Sequence, residues 1–195
     1  MSDIIEYINE IIRAHKKAVD TLEASDLKTI ATAAEAIIAA LKNGAVVYLC
    51  GNGGSAADSQ HIASELVNRF ELNRRALPAM AFSTDSSILT SIANDDSYNA
   101  TFARQAEAFI KKGDILWALS TSGSSANVLA AAKVARQKGA TVLAFTGRRK
   151  SELEQLADIC FCANDESTAR SQEIHQLAYH IICGLVDGAF TAKND

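Results

Sequence analysis

Ala45-Val-Val-Tyr-Leu-Cys-Gly-Asn-Gly-Gly-Ser-Ala-Ala57 sets the architecture. Its first six residues are an apolar run short enough for a buried strand, Gly51–Ser55 is a turn rich in glycine, and a helix follows at once over 56–70. Glycines at such a turn let the backbone approach a ligand closely. The helix N-terminus beyond them presents free N–H groups and a partial positive charge, which suits a phosphate or carboxylate.

The same grammar continues downstream. Short apolar runs at 79–82, 115–119, 141–145 and 159–163 alternate with helical stretches near 86–92 and 101–110, 126–138 and 150–156, and a long helix closes the chain over 168–190. Apolar strands separated by helices predict a parallel sheet covered on both faces, with the loops after the strands gathered along one edge. The expectation is an α/β fold: a doubly wound, five-stranded parallel sheet flanked by helices. Upstream, Ile4, Ile8, Ile11, Ile12, Val19 and Leu22 keep helical spacing, and a second helix is expected from Leu27, N-capped by Asp26, to Leu41 with Gly44 as its stop. One proline, no linker-like stretch and no repeat of solenoid length predict a single domain over 1–195, with a helical segment at 1–43 and the α/β core and last helix at 44–195.

Composition narrows the function classes. A net charge of −4 over 195 residues offers no basic surface for nucleic acid or anionic lipid, so neither partner is expected. No run reaches the roughly 18 apolar residues of a membrane span, and the first residues lack a signal-peptide pattern, so a cytoplasmic location is expected. Cys50, Cys160, Cys162 and Cys183 form no C-x-x-C pair and read as reduced core thiols.

A second loop, Ser120-Thr-Ser-Gly-Ser-Ser125, also runs from a strand into a helix. Its hydroxyls offer donors to a phosphate without net positive charge. Gly51-x-Gly53-x-x-Ala56 satisfies a relaxed dinucleotide pattern, but no acidic residue follows at the end of the next strand and no Gly-Lys-Ser/Thr is present. An anion site built from both loops is therefore the expectation. His61 and Glu65, four apart on the helix leaving the first loop, share a face and can supply two metal ligands, or one ligand and one base. On the last helix His180 sits among apolar residues, which favours the neutral imidazole. Gln172 lies about 12 Å from His180 along that helix. His175 points well away from His180 and reads as structural or as a support behind the site, His15 as a surface histidine. Asn94-Asp95-Asp96 reads equally as a helix end and as a contributor to the loop edge.

Cys50-Gly-Asn-Gly-Gly-Ser-Ala-Ala-Asp-Ser-Gln-His61, Glu65, Ile92-Ala-Asn-Asp95, Ser120-Thr-Ser-Gly-Ser-Ser-Ala-Asn127 and Gln172-Glu-Ile-His175, in that order, resemble the phosphoheptose isomerase branch of the sugar isomerase (SIS) domain proteins over almost the whole chain. The resemblance implies conversion of sedoheptulose 7-phosphate to D-glycero-D-manno-heptose 7-phosphate, towards the heptose of lipopolysaccharide or related glycans. It implies substrate binding by Asn52, Gly53, Gly54, Ser55, Glu65, Asn94, Asp95, Ser120, Thr121, Ser122, Ser125 and Gln172. It further implies one zinc per subunit at His61, Glu65, Gln172 and His180, proton transfer by Glu65 and His180, and a homotetramer with sites at subunit interfaces. Ser124 and Ser171 depart from the Asn and the aliphatic residue common in the family. A non-catalytic relative that assists assembly of the bacterial replication initiator shares the look of Asn68-Arg69-Phe70-Glu71, but that branch lacks the residues matching Glu65 and His180, and this chain has both.

Overall fold

The computed structural model describes residues 2–191. Strands β1 (Val47–Cys50), β2 (Ala79–Ala81), β3 (Ile115–Ser120), β4 (Thr141–Thr146) and β5 (Ile159–Cys162) pair in the order β2-β1-β3-β4-β5, every neighbour parallel. All six residues of β3 are buried, as a central strand covered on both faces requires. Alternation sorts its side chains. Ile115, Trp117 and Leu119 join a core with helices α2 (Ala24–Lys42), α3 (Gly54–Val67) and α8 (Thr168–Phe190), while Leu116 and Ala118 join a second core with α5 (Thr101–Phe109) and α6 (Ala126–Gln137). Helices α4 (Ser86–Asp95) and α7 (Glu152–Leu156) and the 3-10 turn Tyr98–Ala100 complete the crossovers.

The strand order places the site. The chain leaves β1 by α3 to reach β2, then crosses back over β1 to β3 and leaves by α6 on the opposite face. Adjacent strands whose crossovers part in this way open a crevice at their carboxyl ends. The two loops predicted to bind an anion, Gly51–Ser55 after β1 and Ser120–Ser125 after β3, flank that crevice.

Local boundaries differ from the expectation in two informative places. Helix α2 begins at Ala24, with Glu23 as its N-cap. Asp26, expected as the cap, is instead the third helical residue, and its Oδ2 accepts the Glu23 N–H at 3.0 Å in a capping box. Helix α3 stops at Val67, three residues short of the expected Phe70. Asp187 Oδ2 captures the N–H groups of Phe70, Glu71 and Leu72 at 3.1, 2.8 and 2.9 Å. Arg74 takes the carbonyls that a further turn would have used: Nη2 donates to Glu65 O at 2.7 Å, and Nη1 to Leu66 O at 2.8 Å and Asn68 O at 3.1 Å. Partners from α8 and the following loop thus replace the helical ones.

The two N-terminal helices have different fates. Along α2, Ile30, Ala33, Ala34, Ile37 and Leu41 are buried. Helix α1 (Ser2–Asp20) leaves Ile4, Ile5, Tyr7, Ile8 and Ile12 exposed. It is tied to α8 by His15 Nδ1, 2.7 Å from Glu173 Oε2, and by Arg170 Nη1, which donates to Ile11 O at 3.0 Å. His15 is therefore half-exposed with a partner rather than a free surface group. All four cysteines are unpaired. Burial pushes the thiols of Cys50 and Cys183 up to about 12 and that of Cys160 to about 11, as suits core thiols without nucleophilic character.

Candidate active site

The first loop is bound to the first turn of α6. Asn52 Nδ2 donates to Asn127 Oδ1 at 2.8 Å, and Asn127 Nδ2 returns a bond to Asn52 Oδ1 at 2.9 Å. Tyr98 Oη donates to the same Asn52 oxygen at 2.9 Å. These bonds orient Asn52 at the mouth of the crevice. Gly53, at φ +55° and ψ −121°, is the N-cap of α3 in a conformation that side chains disfavour. Gly54 has another constraint: a Cβ there would lie 2.4 Å from Gln172 Nε2, so the carboxamide of α8 rests on the bare start of α3. Ser55 is buried, and its N–H donates to Asn52 O at 3.0 Å.

In the second loop Ser120 Oγ lies 3.3 Å from Ser122 Oγ and 3.1 Å from Ser125 Oγ, and it accepts the Gly123 N–H at 3.2 Å. Ser122 Oγ accepts the Ser124 N–H at 3.2 Å. Hydroxyls clustered at the N-terminus of α6 can rotate their protons outward to an anion. Ser171, a departure from the family pattern, is buried; its Oγ donates to Asp165 O at 3.1 Å, and it packs where Gly147 leaves room.

About two turns along α3 from Gly54, three ligating side chains converge. His61, Glu65 and His180 each offer one ligand atom, all within 4.8 Å of one another and all half-buried. His61 Nε2 is 3.0 Å from Glu65 Oε1. The His180 ring stands edge-on to His61 at 5.1 Å between centroids and stacks on Phe70 at 5.2 Å and 15°. Burial, reinforced by His61, pushes the His180 pKa down, while Glu65 opposes the shift. A half-buried imidazole kept neutral beside a carboxylate can accept a proton near neutral pH. Zinc bonds nitrogen and oxygen at about 2.0–2.2 Å, which sets ligand atoms roughly 3.4 Å apart. His61 Nε2 and Glu65 Oε1 at 3.0 Å and the trio's span of 4.8 Å bracket that spacing, and the donor set suits a borderline cation with a position left open.

Residues 6–147 match the SIS domain. The phosphoheptose isomerase of Burkholderia pseudomallei (strain 1710b) is 44% identical over 191 residues, 97% of each chain. That of Thiobacillus denitrificans is 49% identical over 175 residues, 87% of this chain and 89% of its own. The solved phosphoheptose isomerase of Neisseria gonorrhoeae superposes with a TM-score of 0.84 at 36% identity, over 96% of this chain and 98% of the other. That of Francisella tularensis gives 0.85 at 34%, over 96% and 97%. The chain belongs to the phosphoheptose isomerases of the SIS domain family.

As a phosphoheptose isomerase it is built with the first loop and the His61–Glu65 pair on one helix, α3, and with α8 facing both. Gln172 faces Gly54 at the loop end. His61 lies seven residues further along α3, about 10 Å by helical rise, so Gln172 and His180 of the same α8 meet different ends of the site. Asn94 and Asp95 close α4. Asn94 Nδ2 donates to Asp95 Oδ1 at 2.8 Å, and Asp95 lines a cavity of about 390 Å³ with Ser91, Ile92, Asp96 and Arg104. Tyr98, three residues past Asp95, ties this segment to the first loop through Asn52. Sequence reasoning passed over Tyr98 and Tyr179, which sit at 56% and 0% exposure with their hydroxyls on site residues. Asp58 was within reach, since it precedes His61 by three residues on the same face of α3.

His175 is structural, as its position suggests. It is fully buried, and its Nε2–H donates to Thr146 O at 2.9 Å. Burial lowers its pKa from 6.5 to about 4, the bond to Thr146 opposing. The unfolded chain therefore binds a proton that the folded chain refuses. The stability from this group is complete above about pH 6.5 and is lost as pH falls towards 4, by about 1.4 kcal/mol per unit at most. Urea midpoints at about pH 7 and about pH 5 are expected to diverge in the wild type and to draw closer in His175→Gln. An equal acid dependence in both proteins would show that other groups carry it.

Proposed function

We propose that the chain interconverts sedoheptulose 7-phosphate and D-glycero-D-manno-heptose 7-phosphate in the cytoplasm, supplying heptose to lipopolysaccharide or a related glycan. One observation carries this reading: the Glu65 carboxylate and the His180 imidazole converge with His61 on α3, the helix that leaves the Gly51–Ser55 loop at the crevice. Relatives named as phosphoheptose isomerases at 44% and 49% identity support the seven-carbon substrate.

Ser120, Thr121, Ser122 and Ser125 with the N-terminus of α6 hold the phosphate, and Asn52, Gly53, Gly54, Ser55, Asn94, Asp95 and Gln172 hold the sugar. Glu65 and His180 move the protons. One takes a proton from C1 of the open-chain ketose, and the electron pair shifts to the C2 carbonyl oxygen, which is protonated to give a cis-enediol. Return of a proton to C2 and loss of the O1 hydrogen give the aldose. His61, Glu65 and His180 hold zinc, and Gln172 of a neighbouring subunit is the candidate fourth ligand. When bound, zinc polarises the carbonyl and holds the open-chain sugar. A homotetramer is supported by apolar surface left open on α1 and by Leu177, Ile181 and Leu185, an exposed stripe on α8 that flanks His180.

The test is incubation with five-, six- and seven-carbon sugar phosphates, with and without a chelator, reading ketose–aldose conversion. Conversion confined to the seven-carbon pair is expected. Turnover of a shorter sugar alone would overturn the substrate, and conversion of none would return the chain to the binding-protein class.

A further inference from the structure

The second ring nitrogen of His61 is also held. Tyr179 Oη lies 3.0 Å from His61 Nδ1 and 3.4 Å from Asp58 Oδ1. Tyr179 is fully buried, and Asp58 Oδ2 is buried without a hydrogen-bond partner among the described residues. With Asp58 ionised, proton counting along this line has one solution that satisfies both contacts. An ionised carboxylate only accepts and a phenol has one proton, so Tyr179 donates to Asp58. Its oxygen is then an acceptor towards the ring, and His61 must present Nδ1–H to it.

The consequence falls on the other nitrogen. A neutral ring protonated at Nδ1 carries a bare lone pair on Nε2, and that lone pair faces Glu65 Oε1 at 3.0 Å. Acceptor against acceptor is repulsive unless positive charge lies between them. The opposite arrangement, with Tyr179 donating to Nδ1, would let Nε2–H bond Glu65. It would also strip Asp58 of the tyrosine proton while its other oxygen already lacks a partner, a cost of about 1–3 kcal/mol or more for a charged group.

We infer that Asp58 and Tyr179 are positioning residues that hold His61 as its Nδ1–H tautomer, so that Nε2, Glu65 and His180 together meet a divalent cation. Partners behind a ligating histidine fix its tautomer and orientation in this way. The inference rests on the metal reading of the trio, and two measurements separate the fates of the two.

Nitrogen NMR of isotope-labelled histidine in the metal-free full chain, at a pH where the ring is neutral, reads the tautomer directly, with His61→Gln to assign the signal. The wild type is expected to carry Nδ1–H, and Tyr179→Phe to move the proton to Nε2. Competition between the protein and a chelator for cobalt(II), followed by the visible spectrum, is expected to show affinity lower by about 10–100-fold in Tyr179→Phe and by less in Asp58→Asn, which keeps an acceptor oxygen. A merely structural role would change the melting temperature without changing the tautomer. Wild-type tautomer and affinity in both variants would overturn the relay. A wild type that binds no cobalt(II) would instead sink the metal reading, with the tautomer still deciding the relay. Should Tyr179→Phe fail to fold, Asp58→Ala, which removes the acceptor and frees the tyrosine proton for His61 Nδ1, carries both measurements.

Discussion

Glu65→Gln is expected to lower turnover by about 10²–10⁴-fold, the range for loss of a positioned general acid or base, and His180→Gln by a similar factor. Glutamine keeps the volume and an acceptor oxygen of Glu65 but cannot take a proton. The carboxylate is 18% exposed at the end of α3, and Arg74 grips its backbone carbonyl rather than its side chain, so the fold does not depend on the charge. His180 packs edge-on against Tyr179 at 4.7 Å and flat against Phe70, contacts that a glutamine partly replaces. Steady-state isomerisation of the seven-carbon substrate, with circular dichroism and melting as controls, tests both. Wild-type kcat in either folded variant would remove that residue from the proton path. An equal fall in kcat and kcat/KM would point to an interaction made only in the transition state.

Arg74→Met is expected to cost about 3–5 kcal/mol of stability, because it leaves the partner of a buried ion pair uncompensated. Arg74 Nε and Asp187 Oδ1 are 2.9 Å apart, and both side chains are 1% exposed. Burial alone would raise the Asp187 pKa, yet the Leu72 and Glu71 amides and Arg74 outweigh it and hold the carboxyl below its ordinary value. At this chain length the loss corresponds to a melting temperature lower by roughly 6–20 °C. Part of it should return in Arg74→Met combined with Asp187→Leu, where no charge is left buried, although the three amides served by Asp187 stay unpaired. A melting temperature within about 2 °C of wild type for the single variant would show that the pair contributes little. The same contacts reach the site: Phe70, whose N–H is fixed by Asp187, is the ring stacked on His180.

How much of this was legible in the chain follows from the range of each signal. Strand–turn–helix grammar is local, and all five strands fall within a residue or two of their apolar runs. The long last helix matches its expected limits, Thr168–Phe190. His61 and Glu65 were paired by their spacing alone, because i and i+4 neighbours share a face in any helix. The end of α3 was not legible. The groups that stop it come from Arg74 and from Asp187, a residue more than a hundred positions away, and local propensity continues the helix past them. The start of α2 was missed by a subtler competition, in which two carboxylates three apart both qualify as cap and the box assigns them opposite roles.

The alternation of apolar strand and helix, the glycines after β1 and the hydroxyls after β3 dictate an α/β sheet and predict an anion site at its crevice, since period, turn geometry and helix-terminal charge belong to short stretches of chain. Only the packed fold brings His180 onto the His61–Glu65 face, lays Gln172 on Gly54 and sets Tyr179 and Asp58 behind His61. Those contacts depend on α3 and α8 lying side by side on one face of the sheet, and 100 residues separate the two helices in the chain.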